Sequence, residues 1–206
     1  MGAASYRDPS GTVPPMRLHF VRDGSAVGAE GRCIGHTDLQ LSANGRMECR
    51  ALAHGMPDVP LRLISSDLRR AQATALLLSS EPITTEPRLR EMDFGAWDGK
   101  SWTELDREQP VDPDDWSDHW PSIRTPGGES FEDVIARVTA WLDSLPRDSG
   151  DFLVVAHAGS IRAAAVALLG ISASRAFSMA LDHATVSTFE LSTRGATLIR
   201  WNSSGF

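Results

Sequence analysis

Four stretches of this sequence carry side chains that could do chemistry, and three of them close or follow an apolar run. Arg22 and Asp23 close the first run, and Arg69 and Arg70 both follow the second. Glu91 lies in a polar stretch further along, and His157 closes the apolar run at 152–156. Arginine forks match phosphate oxygens, a histidine can add a donor, and a glutamate can carry a proton. These residue types therefore favour chemistry on a phosphate group.

None of these residues identifies a site by itself. An arginine at a strand end, such as Arg22, is usually a surface residue, and a lone histidine such as His157 more often has a structural role. Glu91 could simply pair with Arg88 or Arg90 on a solvated face. A glutamate beside a phosphate is repelled unless it is protonated, so in a site we expect Glu91 to be a proton carrier with a raised pKa.

The elements that must position these residues alternate between strands and helices. Apolar runs predict strands at 16–22, 61–65, 82–86, 152–156, 185–191 and 196–201. Helical spacing and capping residues predict helices at 43–56, 67–79, 101–108, 130–145 and 158–169. This alternation predicts an α/β fold, a three-layer α/β/α sandwich with a mostly parallel central sheet. Because the carboxyl ends of parallel strands share one edge, the four stretches should meet there.

Length and composition indicate one domain. The chain has 206 residues, 41% of them hydrophobic, which suits a single core built from residues 16–206. Residues 1–15 mix Gly, Ser, Pro and charge, and we interpret them as a flexible leader. Residues from about 89 to 125 are expected to form an excursion over the site. Its four tryptophans either stack on an organic substrate or pack the excursion onto the core: Trp97, Trp102, Trp116 and Trp120.

The charge balance limits the partners. The formal net charge of -7 argues against nucleic acid and against an anionic membrane surface. No apolar run has the length needed to span a bilayer. The expected ligand is therefore a small phosphorylated metabolite or inorganic phosphate, bound by local arginines. Association into a homodimer stays open.

Neither a metal nor a cofactor is expected. Cys33 and Cys49 are the only cysteines and match no zinc spacing, so they are expected to be reduced thiols of a cytoplasmic protein. No Walker A or dinucleotide glycine motif occurs, and the acidic run at 112–115 lacks the glycine and glutamate of a calcium loop. A magnesium-dependent aspartate phosphatase would need a second acid two residues after Asp23, where Ser25 stands.

In their order and context these stretches resemble the histidine phosphatase superfamily, also called the phosphoglycerate mutase-like family. The resemblance covers nearly the whole chain after Pro15. The Glu91 segment and the short length are most similar to α-ribazole phosphatases, although phosphatases of sugar phosphates share much of both. The stretches that carry the resemblance are Arg22-Asp23-Gly24, Gly31 to Asp38, Ser65 to Thr74, Leu89 to Gly99, Pro126 to Ser130 and Val154 to Gly159.

The resemblance implies a phosphoglycerate mutase-like fold and a phosphatase of small organic phosphates, with a mutase-like phosphotransferase as the alternative enzyme. It favours Arg70 over Arg69, and it implies that Arg22, Arg70 and His157 bind the phosphoryl group. It also implies that Glu91 protonates the leaving oxygen and that the catalytic set comprises Asp23, Glu91 and His157. The other residues expected in the substrate pocket are Gly24, Gly35, His36 and Ala158.

The sequence departs from the family at its central position, because Asp23 stands where members carry the nucleophilic histidine. Ser25, Ala29 and His183 also differ from what relatives often have there. In one account this form is inactive or very slow, as an engineered ligand trap would be. In a second account Asp23 is itself the phosphoryl acceptor, and in a third the domain binds a phosphorylated ligand without turnover. We expect impairment, because a carboxylate is shorter than an imidazole and repels phosphate.

Overall fold

A computed structural model of the protein describes residues 15–56, 61–108, 120–146 and 150–206. Three features discussed above lie outside these ranges: the leader up to residue 14, Trp116, and the acidic run at 112–115. The described residues form an α/β structure built on a central sheet, as the sequence predicts.

The central sheet has six strands within the described ranges. They are β1 (Met16–Arg22), β2 (Arg62–Ser65), β3 (Thr84–Thr85), β4 (Phe152–Ala156), β5 (Val186–Ser192) and β6 (Gly195–Ser203). Their order is β3-β2-β4-β1-β5-β6. The neighbours from β3 to β1 pair in parallel, whereas β5 and β6 pair antiparallel. The prediction of a mostly parallel sheet is confirmed.

Six α-helices connect or follow these strands in the described part of the chain. They are α1 (Ala43–Ala53), α2 (Arg69–Leu78), α3 (Trp102–Glu108), α4 (Phe131–Ser144), α5 (Ala158–Leu169) and α6 (Ala173–Phe177). Serine caps begin α1 and α4, because the hydroxyls of Ser42 and Ser130 accept the backbone N–H groups of Gly45 and Asp133. None of these helices combines the length and apolar character that crossing a membrane requires.

Helices cover both faces of the sheet. Side chains of one strand alternate between the faces, so Phe20 and Val154 point to one side while Val21 and Val155 point to the other. The first side carries the larger core with α4 and α5, including Trp141. The second side carries α1 and α2. The three-layer sandwich predicted from the sequence is therefore confirmed.

Element ends differ from prediction where local signals are weak. The third strand, predicted at 82–86, is reduced to Thr84–Thr85, an exposed edge strand that pairs on one side only. The helix predicted at 43–56 ends at Ala53. The five-residue helix α6 was not predicted, because it is too short to develop a periodic pattern. Both cysteines are buried free thiols.

Candidate active site

The carboxyl ends of β1, β2 and β4 lie side by side and bring the polar stretches together. Arg22 of β1 pairs with Ala156 of β4, and the Asp23 amide donates to the Ala156 carbonyl at 2.9 Å. A cavity of about 590 Å³ opens at this edge. Five residues predicted from the sequence line it together: Arg22, Asp23, Arg70, Glu91 and His157.

The Asp23 carboxylate lies in the middle of this cluster. It is buried, and its Oδ2 lies 2.9 Å from Arg70 Nε. His157 Nδ1 lies 3.2 Å from the same oxygen, at ion-pair distance but not aligned for a hydrogen bond. Burial alone would raise the pKa of Asp23, but His157, Arg70 and His183 outweigh it and hold this pKa well below its ordinary value. Asp23 is therefore ionised at neutral pH.

Arg70 enters the cluster from the first turn of α2 with its whole guanidinium engaged. Nη1 donates to the Thr37 carbonyl at 2.9 Å, and Nη2 donates to the Gly35 carbonyl at 2.7 Å. The remaining Nε faces Asp23. The loop between β1 and α1 thus fixes the direction of the Arg70 side chain, and the Asp23 carboxylate is the negative charge that pairs with its guanidinium.

His157 stands between β4 and α5, and hydrogen bonds hold both its ring and its backbone. Its Nε2 lies 2.9 Å from Ser66 Oγ, and its backbone N–H donates to Ser160 Oγ at 3.1 Å. Because the Ser66 hydroxyl can donate to Nε2, Nδ1 can carry the proton that faces Asp23. The ring therefore presents a donor to whatever anion lies in the cluster.

Arg22 is oriented by the segment before β5. Its Nη1 donates to the Leu181 carbonyl at 2.5 Å, and its Nη2 lies 3.0 Å from His183 Nε2. His183 Nδ1 in turn lies 2.8 Å from the Asp23 carbonyl. Because a carbonyl only accepts, Nδ1 is the donor in that contact and Nε2 accepts from Arg22. The buried Arg22 Nε has no hydrogen-bond partner among the described residues.

The Glu91 carboxylate lies at the start of α5. Its two oxygens accept the Gly159 N–H at 3.0 and 3.1 Å, and Oε1 also accepts the Met92 N–H at 2.8 Å. A Cβ at position 159 would come within 2.1 Å of Glu91 Oε1, so only glycine leaves room for this contact. Backbone donors thus hold Glu91 at the cavity.

The backbone of Glu91 is held from behind by two side chains. Arg137 of α4 donates through Nη2 to the Glu91 carbonyl at 2.9 Å and through Nη1 to the Arg90 carbonyl at 2.8 Å. Arg137 itself pairs with Glu129 at 2.8 Å. His36 Nε2 lies 2.9 Å from the same Glu91 carbonyl and is the donor in that contact.

Three residues expected in the pocket do not line the cavity, whereas Ala158 does. Gly24 packs beneath it, where an added Cβ would come within 2.8 Å of the Gly45 carbonyl. Gly35 is buried and holds Arg70 through its carbonyl. His36 holds the Glu91 backbone. Gly35 and His36 thus act on the cavity through the residues that they position.

Aromatic side chains form much of the remaining wall. Trp97, Trp102 and Trp120 all line the cavity, so part of the excursion does lie at the site. Trp102 also packs against Phe94 at 6.5 Å between ring centres, and Trp120 packs against Phe177 at 4.7 Å. Both of the roles considered for these tryptophans, packing and contact with an organic ligand, are compatible with this position.

Several lining residues were not predicted from the sequence. His183 was noted as unusual but was not placed in the site, and Arg162 was not singled out. Gly159 and Arg162 are three residues apart on α5, a spacing that places them on one helix face and could have indicated Arg162. Phe131 and Phe177 also line the cavity, and no local pattern pointed to them. Among the described residues no group of three or more His, Cys, Asp or Glu side chains could hold a metal ion.

Comparison with known proteins identifies relatives that match most of the chain. A family model described as histidine phosphatase superfamily, branch 1, matches residues 18–204. Phosphoserine phosphatase 1 of Hydrogenobacter thermophilus is 30% identical over 178 residues, which cover 84% of each chain. The crystal structure of the α-ribazole phosphatase from Shigella flexneri is 28% identical, with a TM-score of 0.82 and coverage of 93% of this chain and 98% of that one.

The structure of a third relative was solved with a bound ligand. It is the mycobacterial glucosyl-3-phosphoglycerate phosphatase in complex with inorganic phosphate, 30% identical with a TM-score of 0.76. The match covers 91% of this chain and 98% of that one. Sequence and structure therefore agree, and the chain belongs to branch 1 of the histidine phosphatase superfamily.

Proposed function

We propose that this protein hydrolyses phosphate monoesters of small organic alcohols, and that Asp23 makes the reaction slow in the form described. The observation that carries the proposal is the set of Arg22, Arg70, Glu91 and His157 around one cavity. Family membership and the phosphatase names of the relatives support it.

The proposed roles follow from charge and position. Arg22, Arg70 and His157 hold the phosphoryl oxygens and stabilise the negative charge on the transferred group. Glu91 gives a proton to the leaving oxygen and later takes one from the attacking water. The contacts that fix Arg70 and Glu91 in advance lower the cost of bringing these groups into position.

Three physical reasons make Asp23 a poor phosphoryl acceptor. Its carboxylate lies 2.9 Å from Arg70 Nε, so attack would first break a buried ion pair. Its charge repels an incoming phosphate by about 4 kcal/mol at roughly 4 Å, for an effective dielectric constant near 20. A carboxylate is also shorter than an imidazole, and a misplacement of about 1 Å can cost roughly a hundredfold in rate.

The proposed substrate is a small organic phosphate such as α-ribazole phosphate or a sugar phosphate. The name of the Shigella relative supports the first. The cavity of about 590 Å³ has the size of an ordinary ligand pocket. Its tryptophans suit a leaving group with apolar surface.

The test is hydrolysis of p-nitrophenyl phosphate without added metal by the wild type, Asp23→His and Asp23→Asn. We expect Asp23→His to be at least about a hundredfold faster than the wild type, because it restores a neutral acceptor of the right length. Asp23→Asn should remain slow, because it removes the charge without supplying a nucleophile. The comparison therefore shows whether the gain in Asp23→His comes from the new nucleophile or from the loss of charge. An inert Asp23→His form would refute the enzyme proposal.

The ion pair between Asp23 and Arg70 also favours a second candidate, a domain that binds a phosphorylated ligand without turnover. Titration calorimetry with inorganic phosphate distinguishes the two. Binding by both the wild type and Asp23→His, with no hydrolysis by either, would support the binding domain. Measurable hydrolysis by the wild type would exclude it, whereas hydrolysis by Asp23→His alone would identify position 23 as the cause of the lost activity.

A further inference from the structure

Arg162 lies in the cavity wall but has no part in the phosphate site proposed above. It follows His157 on α5, and its side chain is half-buried. Its Nε donates to the Ala176 carbonyl and its Nη2 to the Met179 carbonyl, both at 3.2 Å. The guanidinium carbon lies 5.0 Å from the centre of the Phe177 ring. These contacts fix the direction of the guanidinium but bring no negative charge to it.

The lack of a counter-charge distinguishes Arg162 from two other arginines of the cavity. Arg70 pairs with Asp23 at 2.9 Å, and Arg124 pairs with Asp133 at 2.6 Å. Within the part of the chain that the structure describes, no carboxylate lies at ion-pair distance from Arg162. Burying a cation without a partner is costly, so this position favours a ligand that brings its own anion.

Arg162 faces the side of the cavity on which the leaving group would lie. Gly159, which holds the Glu91 carboxylate, is three residues earlier on the same helix and therefore on the same face. Burial is the main reason that the pKa of Arg162 is lowered, and the charge of Glu91 acts against this shift. Because Glu91 is the proposed proton donor to the leaving oxygen, a cation near Glu91 faces the alcohol part of the ester.

The wall around Arg162 is aromatic. The Phe177 ring beneath the guanidinium packs edge-on against Trp120 at 4.7 Å and against Phe131 at 4.8 Å between ring centres. Such a wall excludes water and lowers the local dielectric constant, which strengthens a charge-assisted hydrogen bond. An arginine in this setting can hold a carboxylate in its fork more firmly than an exposed arginine can.

We propose that Arg162 binds a carboxylate on the leaving group, and that the preferred substrates are therefore phosphate monoesters of hydroxy acids. This inference rests on the proposed function, because it takes the phosphoryl group to lie at Arg22 and Arg70. It keeps the wider class of small organic phosphates but replaces α-ribazole phosphate and simple sugar phosphates as the preferred substrates, because they carry no carboxylate and would bind less well.

Titration calorimetry with three ligands tests the inference on the full chain. Inorganic phosphate reports the phosphate site alone, whereas 3-phosphoglycerate and glycerol 3-phosphate differ only in a carboxylate against a hydroxymethyl group. We expect the wild type to bind 3-phosphoglycerate at least about tenfold more tightly than glycerol 3-phosphate, the effect of one charged hydrogen bond.

Three variants assign the preference to one side chain. Arg162→Met keeps the length but loses the charge, and we expect it to abolish the preference while the Kd for inorganic phosphate stays within about threefold. Arg162→Lys keeps the charge and should retain part of the preference, which excludes misfolding as the cause. Arg175→Met removes an exposed arginine of α6 that does not line the cavity, and it should retain the full preference.

The outcomes separate this inference from the proposed function. Equal binding of the two esters by the wild type, or a preference that survives in Arg162→Met, would overturn the role of Arg162 alone. If neither the wild type nor the Asp23→His form binds inorganic phosphate, the proposed function is refuted, and the inference is refuted with it.

Discussion

At position 23 a carboxylate lies among the side chains that we propose bind phosphate. The Asp23 carboxylate is paired with Arg70 and lies beside His157. It therefore acts as an internal counter-ion, because a bound phosphate would have to share Arg70 with it or displace it. The same contact stabilises the free protein, since a buried arginine without a partner would be costly.

Asp23→Asn should bind inorganic phosphate at least about tenfold more tightly than the wild type, because a like charge has left the site. It should also be less stable without phosphate, since Arg70 loses its buried partner. Titration calorimetry and urea denaturation measure the two effects. Asp67→Asn, which removes a carboxylate that pairs with Arg90 outside the cavity lining, is the control. Unchanged phosphate affinity in Asp23→Asn would contradict the counter-ion role.

The position of the Glu91 carboxylate requires a glycine at position 159. A methyl group there would come within 2.1 Å of Glu91 Oε1. We therefore expect Gly159→Ala, made in the Asp23→His form, to lower kcat by about a hundredfold, the usual contribution of a general acid. Phosphate affinity should change little. Gly205→Ala, where an added methyl group meets nothing within 4 Å, is the control.

The result to look for is a fall in kcat with a preserved phosphate Kd. A Gly159→Ala form that keeps full activity would mean that the Glu91 carboxylate is not needed where the structure has it, and the proposed proton donor would have to be another group.

At the scale of elements, helix α4 supports the site although none of its polar side chains lines the cavity. The capping box of Ser130 and Asp133 starts the helix, and Arg137 in its middle clamps the chain before Glu91. Arg137 is thus a positioning residue, because it acts through the Glu91 backbone.

We expect Arg137→Met, in the Asp23→His form, to lower kcat by about tenfold or more while KM changes little, because a small displacement of Glu91 affects proton transfer more than binding. Steady-state kinetics measures both constants. Arg17→Met breaks an exposed ion pair with Glu190 and should leave them unchanged. An effect of Arg137→Met on KM alone would contradict the positioning role.

At the scale of the whole molecule, acid should unfold the protein through its paired carboxylates. Hydrogen bonds from Arg90 and Arg88 lower the pKa of Asp67 and of Glu86, and the hydroxyl of Ser130 does the same for Asp133. His157 and Arg70 also hold the pKa of the buried Asp23 below its ordinary value, although burial by itself would raise it. A carboxyl whose pKa is lower in the folded state stabilises the fold above its unfolded pKa and loses this effect as pH falls through the folded value.

The urea midpoint should fall modestly from pH 7 to pH 5, because burial lowers the pKa of His19 and the folded protein resists its protonation. At pH values below 3.8, the ordinary pKa of aspartate, the urea midpoint should fall more steeply as the paired carboxylates take up protons. The fall should be shallower in Asp23→Asn, because one of the titrating groups is gone. Urea unfolding followed by tryptophan fluorescence at pH 7, 5 and 3 measures this. Parallel curves for the two proteins would show that Asp23 does not contribute to the acid sensitivity.

The parts of the fold that the sequence predicted well are those whose local pattern and tertiary context agree. The strands at 16–22 and 152–156 match the structure at both ends, because each is an apolar run closed by a polar residue. The short edge strand Thr84–Thr85 and helix α6 were mispredicted or missed, because neither holds enough residues for a periodic signal.

By itself the sequence determined which residue types meet at the site. It shows the order of the strands along the chain and the polar residue that follows each strand. Arg22, Asp23 and His157 were located in this way, whereas Arg70 was chosen over Arg69 by the family resemblance. Only the tertiary structure decided how these side chains pair and that the Glu91 carboxylate accepts the Gly159 N–H. It alone also showed that Arg162 lines the cavity with no carboxylate of the described residues at ion-pair distance. The reason is physical: such contacts join residues far apart in the chain, and their geometry depends on how helices pack on the sheet.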